Sequence, residues 1–223
     1  MKPTLLVLRP EPGGSATAAL AESLGFAAIA APLFTVRPLD WSLPAIRPQA
    51  VLMTSANAAR HGGAALGELT DLPLYAVGES TAAAARAAGF TTLVVGDDGI
   101  DAIAERARRD GIERMLHLAG REHRQPGDKR VAIERRLVYA ADAVTSLPDA
   151  ARALLPHAIV LLHSPRAAAL FASLVDPGAI ATAAISEATR RAAGDGWRAV
   201  AVADLPTDAS LLAAAAKLCD QSG

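Results

Sequence analysis

Loops of small, hydroxyl and basic residues follow several short apolar runs in this sequence, and their residue types suit anion binding. Many of these loops lead into Ala-rich stretches with helical periodicity. The first turn of a helix leaves backbone N–H groups free, and these groups favour anions through hydrogen bonds and the helix dipole. The candidate binding residues are Arg9, Thr54, Ser55, Ala56, Gly78, Ser80, Thr81, Gly120, Arg121, Ser164, Pro165, Arg166, Glu187 and Thr189. Loops of this kind around one cleft would bind a ligand with several anionic groups.

The hydroxyl residues also have a simpler interpretation. Each of Ser55, Thr81, Ser164, Thr189 and Thr207 could be only a helix N-cap, a position that Ser and Thr favour. The occurrence of the same arrangement twice in the chain favours the binding interpretation.

Tyr139 is the candidate for a reactive side chain. It lies in the extended piece Arg136–Ala140, and a phenol can donate a hydrogen bond or, weakly, a proton. An ordinary strand aromatic explains its position equally well. The sequence has no GxxxxGK[ST] loop, no GxGxxG and no GxSxG, and its five histidines have no metal-ligand spacing. Nucleotide-binding, Ser-hydrolase and metal chemistry therefore lack their usual motifs.

The elements that position these residues occur twice. VLMTSANAA at 51–59 matches VLLHSPRAA at 160–168, and AVGESTAAAARAAG at 76–89 matches AISEATRRAAG at 184–194. A third pair comprises residues 91–105 and 198–214. Each unit is an apolar run, a polar loop and an Ala-rich stretch, which is typical of a βα unit. The repeat predicts two similar α/β domains, which would face each other across a cleft.

The apolar runs predict a discontinuous domain arrangement. Four runs lie between two extended segments, near 32–40 and 136–142, and only three follow the second segment. Residues 1–31 can supply the missing strands. We therefore expect domain one to comprise 1–35 plus 143–223, with domain two, 38–138, inserted into it and two antiparallel linkers between them. Alternating strands and helices predict parallel sheets with helices on both faces, and ligands then bind outside the carboxyl ends of the strands.

The first βα unit has recognisable boundaries. Its strand is expected at Thr4–Leu8, and its helix at about Ala16–Leu24 with Ser15 as N-cap and Gly25 as the C′ residue.

The composition is typical of a globular protein. The chain has 223 residues, 52% of them hydrophobic, and a net charge of −1. We expect a globular protein that binds neither nucleic acid nor membranes. The single cysteine and the lack of a signal peptide pattern predict a cytoplasmic location.

Taken in order, the motifs resemble the uroporphyrinogen-III synthase family. The resemblance covers nearly the whole chain and rests on the order and spacing of eight segments. They are Arg9-Pro10, TSANA at 54–58, AVGESTAAAARAAGF at 76–90, LHLAGRE at 116–122, RLVYAAD at 136–142, LLHSPRAA at 161–168, AISEATRRAA at 184–193 and PTDASLL at 206–212. One departure is Asn57, where some members of the family carry Arg.

The resemblance implies both a fold and an activity. The implied fold is two flavodoxin-like domains, each a three-layer arrangement around a parallel sheet, joined by a two-stranded linker. The implied enzyme is a lyase of heme and tetrapyrrole biosynthesis. It closes linear hydroxymethylbilane to uroporphyrinogen III, with inversion of ring D and loss of water, and uses no metal or organic cofactor. A cytoplasmic monomer is expected.

The resemblance also implies roles for individual residues. Tyr139 matches the tyrosine proposed to aid departure of the hydroxyl, Thr81 and Thr189 match threonines of the cleft, and Ser55 and Ser164 match nearby loop residues. The alternative from another class is a two-domain module that binds a small polyanion without catalysis and has no use for Tyr139.

Overall fold

The computed structural model describes residues 3–123 and 131–220, apart from the side chain of residue 220, and these residues form alternating strands and helices. The strands are β1 (Thr4–Val7), β2 (Ala28–Ala30), β3 (Phe34–Pro38), β4 (Ala50–Met53), β5 (Leu74–Val77), β6 (Leu93–Gly96), β7 (Arg114–Gly120), β8 (Ala132–Ala143), β9 (Ala158–Leu162), β10 (Ala181–Ala184) and β11 (Ala199–Val202). The α-helices are α1 (Gly13–Ser23), α2 (Ala56–His61), α3 (Glu79–Ala87), α4 (Ile100–Arg109), α5 (Asp149–Leu154), α6 (Pro165–Leu174), α7 (Glu187–Ala193) and α8 (Asp208–Asp220). Two short 3-10 helices span Ala64–Leu69 and Pro177–Ala179.

The chain divides into two compact units. Unit 1 comprises the residues up to Thr35 and those from Ala143 onward, and unit 2 comprises Val36–Asp142. The predicted mixed α/β architecture with parallel sheets is confirmed for both units.

Unit 1 contains a five-stranded parallel sheet with the order β11-β10-β9-β1-β2. Alternate residues of its central strands face opposite layers. Leu5 and Val7 of β1 pack in one core with Leu211 and Leu212 of α8. In unit 1, Phe171 of α6 stacks on Trp197 with ring centroids 5.5 Å apart. Strands buried on both faces explain the apolar runs without polar alternation.

Unit 2 is built around a six-stranded sheet with the order β3-β8-β7-β4-β5-β6. Within this order, the neighbouring strands β8, β7, β4, β5 and β6 all pair in parallel. One face packs against α2 and α3 through Leu116 and Leu118, and the other packs against α4 through Leu52 and Met115.

The two segments expected to be linkers are neighbouring strands, β3 and β8. Leu39 N donates to Val138 O, and Val144 N donates to Leu33 O, so the two segments run antiparallel. Strand β8 has 12 residues, Ala132–Ala143, and therefore extends beyond Tyr139.

The start of the first helix differs from the prediction. Helix α1 begins at Gly13, and Ser15 is not its N-cap. Glu11 satisfies the first turn instead, because its carboxylate accepts from Ser15 N at 3.0 Å and from Ser15 Oγ at 2.9 Å. A carboxylate is a good partner for the free N–H groups of a helix start. The predicted end is confirmed, since Gly25 follows the C-cap residue with a φ of 78°.

Candidate functional site

A pocket of about 420 Å³ lies at the carboxyl ends of the strands in unit 2. Four of the predicted site residues line it, namely Thr54, Ser55, Gly120 and Tyr139. Its other lining residues are Val77, Asp98, Gly99, Ile100, Asp101, Glu122 and His123. Because β4 and β7 are neighbours, the loops after them meet here. The volume is within the range of ligand pockets in proteins.

Tyr139 lies directly against the backbone of Gly120. A β-bulge between Ala119 and Gly120 shifts the register, so that Ala119 lies opposite Leu137 but Gly120 lies opposite Tyr139. Arg121 N donates to Tyr139 O at 2.9 Å. A Cβ atom on Gly120 would lie 2.5 Å from Tyr139 Cζ and 2.7 Å from its Oη. The phenol therefore reaches the pocket because position 120 carries no side chain.

A buried histidine lies behind this pocket. His117 of β7 is fully buried, and its Nε2 lies 3.4 Å from Thr54 Oγ1. Burial, and next the positive charge of Arg135, lower the pKa of His117 from 6.5 to about 3. His117 is therefore a neutral imidazole at physiological pH.

Unit 1 carries a polar cluster at the corresponding end of its sheet. Arg9 Nη1 donates to both carboxylate oxygens of Asp208 at 3.1 Å, and the buried Thr17 donates to Asp208 Oδ2 at 2.8 Å. Next to them, the His163 side chain is 6% exposed, with Nε2 3.5 Å from Asp208 Oδ1. Burial, and then the charge of Arg9, lower the pKa of His163 to about 4, although Asp208 opposes this shift. The guanidinium of Arg9 is thus already paired with a carboxylate.

The other predicted residues of unit 2 surround the helix starts. Gly78 is the N-cap residue of α3 with a φ of 82°, and Ser80 is exposed. Thr81 lies inside α3 and therefore does not cap it, and its side chain is buried. Ala56 is buried at the start of α2. Arg121 Nη1 donates to Asp142 Oδ1 at 3.1 Å.

Three helices, α2, α6 and α7, have a serine as N-cap residue. Ser55 Oγ accepts from Asn57 N at 3.2 Å, and Ser164 Oγ accepts from Ala167 N at 3.2 Å. Ser186, and not Thr189 as the sequence suggested, caps α7, because Ser186 Oγ accepts from Thr189 N at 3.3 Å. The N-cap interpretation holds for both Ser55 and Ser164.

The remaining predicted residues of unit 1 lie at the starts of α6 and α7. Pro165 is the first residue of α6, and Arg166 lies over the Phe34 ring at 4.3 Å from its centroid. Glu187 accepts from Arg190 Nε at 2.7 Å. Thr189 is buried, and its hydroxyl lies 3.0 Å from Ser186 Oγ. A binding role for Thr81 and Thr189 stays a prediction.

Sequence reasoning missed the polar residues that contact the predicted ones from other elements. His117, His123 and Asp208 contact predicted residues, and His163 lies next to Asp208, but the sequence patterns assigned these four residues no role in a site. A usable signal was present for His163, because it occupies in VLLHS the place that Thr54 occupies in VLMTS. Among the described residues, no group of three or more His, Cys, Asp or Glu could hold a metal ion.

A family model supplies the identification. The model described as HEM4, uroporphyrinogen-III synthase HemD, matches residues 15–213. The chain belongs to the uroporphyrinogen-III synthase family. The resemblance drawn from the motifs is confirmed. No curated protein matches the sequence.

Solved structures of uroporphyrinogen-III synthases have a similar fold. The enzyme from Helicobacter pylori 26695 matches with a TM-score of 0.68 at 17% identity, covering 98% of this chain and 100% of that one. A mutant enzyme from the extremely thermophilic bacterium Thermus thermophilus matches with a TM-score of 0.53 at 16% identity, covering 99% and 100%. At this identity the likeness shows the fold. In the described part of the chain, no helix has the length and apolarity needed to cross a membrane.

Proposed function

We propose that the chain is a uroporphyrinogen-III synthase, a cofactor-independent lyase of heme and tetrapyrrole biosynthesis that converts hydroxymethylbilane to uroporphyrinogen III. The match of the family model over residues 15–213 is the observation that carries this conclusion. The reaction closes the ring, inverts ring D and releases water. The cleft that the family resemblance implies as the site stays a prediction.

The reactive end of the substrate enters the unit 2 pocket in this proposal. The carboxylates of Asp98, Asp101 and Glu122 line the pocket, so they disfavour the carboxylate side chains of the substrate. The terminal pyrrole ring presents an uncharged hydroxymethyl group instead. Thr54 and Tyr139 provide hydroxyl groups for it in the same pocket.

Tyr139 assists the departure of the hydroxyl. The C–O bond of the hydroxymethyl group breaks, its electron pair leaves with the oxygen, and a proton from the phenol converts the leaving group to water. The electrons of the pyrrole ring form the exocyclic double bond of an azafulvenium cation, in which the ring nitrogen keeps its proton. A proton is released when the attacked pyrrole regains aromaticity after closure, and it restores the phenol, so atoms and charges balance. The rest of the catalysis is orientation and electrostatics.

Backbone amides at helix starts bind the substrate carboxylates. Arg9 and Arg121 are paired with Asp208 and Asp142, which lowers the charge that each can offer to an anion. The start of α3, at Gly78 and Ser80, has no side-chain cap, so its first-turn amides are the ones that we propose for this role. Amide binding is less sensitive to side-chain replacement than binding by arginines.

The finer architecture of the fold also belongs to this proposal. Numbered along the chain, the strands of unit 1 have the order 2-1-3-4-5, which supports a flavodoxin-like domain. The domains are expected at 1–35 plus 143–223 and at 38–138, in a monomer of the cytoplasm. Unit 2 has the order 3-2-1-4-5 for β4 to β8, the order of the Rossmann fold, with β3 added beside β8.

The isomer ratio of the product tests the function. Freshly prepared hydroxymethylbilane closes without enzyme to the type I isomer, whereas the synthase yields type III. Purified protein should give type III at a rate proportional to its concentration, with or without a strong chelator. If only type I appears, at the rate seen without protein, the chain is not a synthase.

A further inference from the structure

His117 lies between two polar residues on the neighbouring strands of unit 2. Strand β7 has β4 on one side and β8 on the other. On the β4 side, Nε2 lies 3.4 Å from Thr54 Oγ1. On the β8 side, Arg135 is paired in register with His117. Among residues 3–123 and 131–220, His117 Nδ1 and Arg135 Nε are buried atoms without a hydrogen-bond partner.

This environment selects one tautomer of the imidazole. A neutral imidazole carries one proton, and a proton on Nδ1 would leave a buried N–H donor without an acceptor, which folded proteins rarely tolerate. A proton on Nε2 is directed at Thr54 Oγ1 instead. The lone pair then remains on Nδ1, where the nearby positive charge of Arg135 stabilises it. We therefore assign the Nε2–H tautomer.

The tautomer determines what Thr54 can do. When Nε2–H donates to Oγ1, the Thr54 hydroxyl hydrogen is free to point elsewhere. Thr54 lines the pocket that also contains Tyr139, so that hydrogen is available to an oxygen in the pocket. The opposite tautomer would have Thr54 donate to the histidine, and the pocket would receive only a lone pair.

We propose that His117 is a positioning residue that holds the Thr54 hydroxyl as a hydrogen-bond donor toward the leaving hydroxyl of the substrate, beside Tyr139. The proposal rests on the proposed function and deepens it. Thr54 donates a hydrogen bond and transfers no proton. Two donors at the leaving oxygen stabilise the negative charge that develops as the C–O bond lengthens.

Nitrogen NMR tests the tautomer without any activity measurement. In protein labelled with 15N-histidine, two-bond 1H–15N spectra distinguish a protonated ring nitrogen from an unprotonated one. We expect the His117 resonances to show a protonated Nε2 and an unprotonated Nδ1. A protonated Nδ1 would overturn the proposal, whether or not the chain is a synthase.

A double-mutant cycle tests the coupling between the two residues. His117→Leu and Thr54→Val should each lower kcat about fivefold, the loss expected for one neutral hydrogen bond, and should leave KM within about twofold. The double variant should also lose about fivefold, because His117 acts through Thr54. A loss of about 25-fold, the product of two independent effects, would overturn the proposal. His117→Gln keeps an N–H donor and should retain most of kcat.

Tyr75→Phe is the matched control for lost stability. Tyr75 is buried in the same sheet, in the layer that contains Met115, and its Oη donates to Asp110 at 2.9 Å. The variant removes a partly buried hydrogen bond between two residues that do not line the pocket. We expect a lower melting temperature with unchanged kcat. If Tyr75→Phe lowers kcat as much as His117→Leu does, the effect of position 117 is structural, and the proposal fails.

Discussion

Replacing Gly120 by Ala should damage the active site while leaving the fold intact. The new Cβ would lie 2.5 Å from Tyr139 Cζ, whereas carbon atoms pack at about 3.5 Å. The phenol ring must therefore move by roughly 1 Å, away from the backbone at position 120. Strand β8 pairs in parallel with β7 at this point. The backbone of Tyr139 cannot move together with the ring without breaking the hydrogen bond from Arg121 N to Tyr139 O.

The expected losses in activity and in stability differ. A misplacement of about 1 Å can lower a rate about 100-fold, so we expect kcat to fall about 10- to 100-fold. The free energy of unfolding should change by only about 1 kcal/mol, because a ring held off its rotamer costs about that much and Ala restricts the unfolded chain more than Gly does.

Rates of type III formation and melting temperatures measure the two effects together. Gly67→Ala is the control, since a Cβ at Gly67 meets no atom within 4 Å. In a Tyr139→Ala background, Gly120→Ala should cost nothing more, because the ring that it displaces is absent. Full activity of Gly120→Ala in the wild-type background would refute the placement of Tyr139 against Gly120 as a requirement for catalysis.

Further outcomes follow from other features of the two units. Tyr139→Phe should lower turnover at least about tenfold, with a melting temperature within a few degrees of wild type; a fully active variant would reduce Tyr139 to a packing residue. Ser164→Ala should cost about 1 kcal/mol of stability in urea titrations and little activity, and an inactive folded variant would contradict a purely capping side chain. Burial and Arg9 hold the pKa of His163 at about 4, so between pH 6.5 and 4 the unfolded chain binds a proton that the folded chain does not. The free energy of unfolding should therefore decrease as pH falls through this window, and His163→Gln should flatten the dependence; an unchanged slope would argue against a buried neutral His163. A fragment of residues 36–142 should unfold cooperatively by circular dichroism, because its core is contiguous in sequence, and a gradual transition would count against an independent unit.

The sequence predicted best those features that depend on local patterns. Apolar runs marked the strands, and Gly25 marked a helix end, because buried parallel strands and left-handed caps have direct residue requirements. Ser55 and Ser164 were recognised as possible caps for the same reason. The start of α1 was missed because the partner of its first turn, Glu11, lies outside the helix and was not expected to supply a cap.

The pocket depends on pairing between distant segments, which local patterns do not reveal. Tyr139 and Gly120 meet only because of a bulge in the β7–β8 pair, and one residue of register decides whether they do. His117 and Thr54 become neighbours through the pairing of β7 with β4. Asp208 likewise reaches Arg9 from a helix almost 200 positions away in the chain.

The strand orders of the two sheets have a consequence for the origin of this chain. Read across each sheet, β11-β10-β9-β1-β2 in unit 1 occupies the same succession of places as β6-β5-β4-β7-β8 in unit 2. The repeated segments obey this correspondence, since residues 51–59 run from β4 into α2 and residues 160–168 run from β9 into α6. Unit 1 is therefore a circular permutation of unit 2, in which the fourth and fifth strands precede the first three along the chain. A tandem duplication, followed by transfer of the last two strands of one copy to the front of the chain, would explain both the inserted unit and the order of the repeats. A circularly permuted gene that places residues 3–35 after α8 would encode two consecutive domains with the same topology.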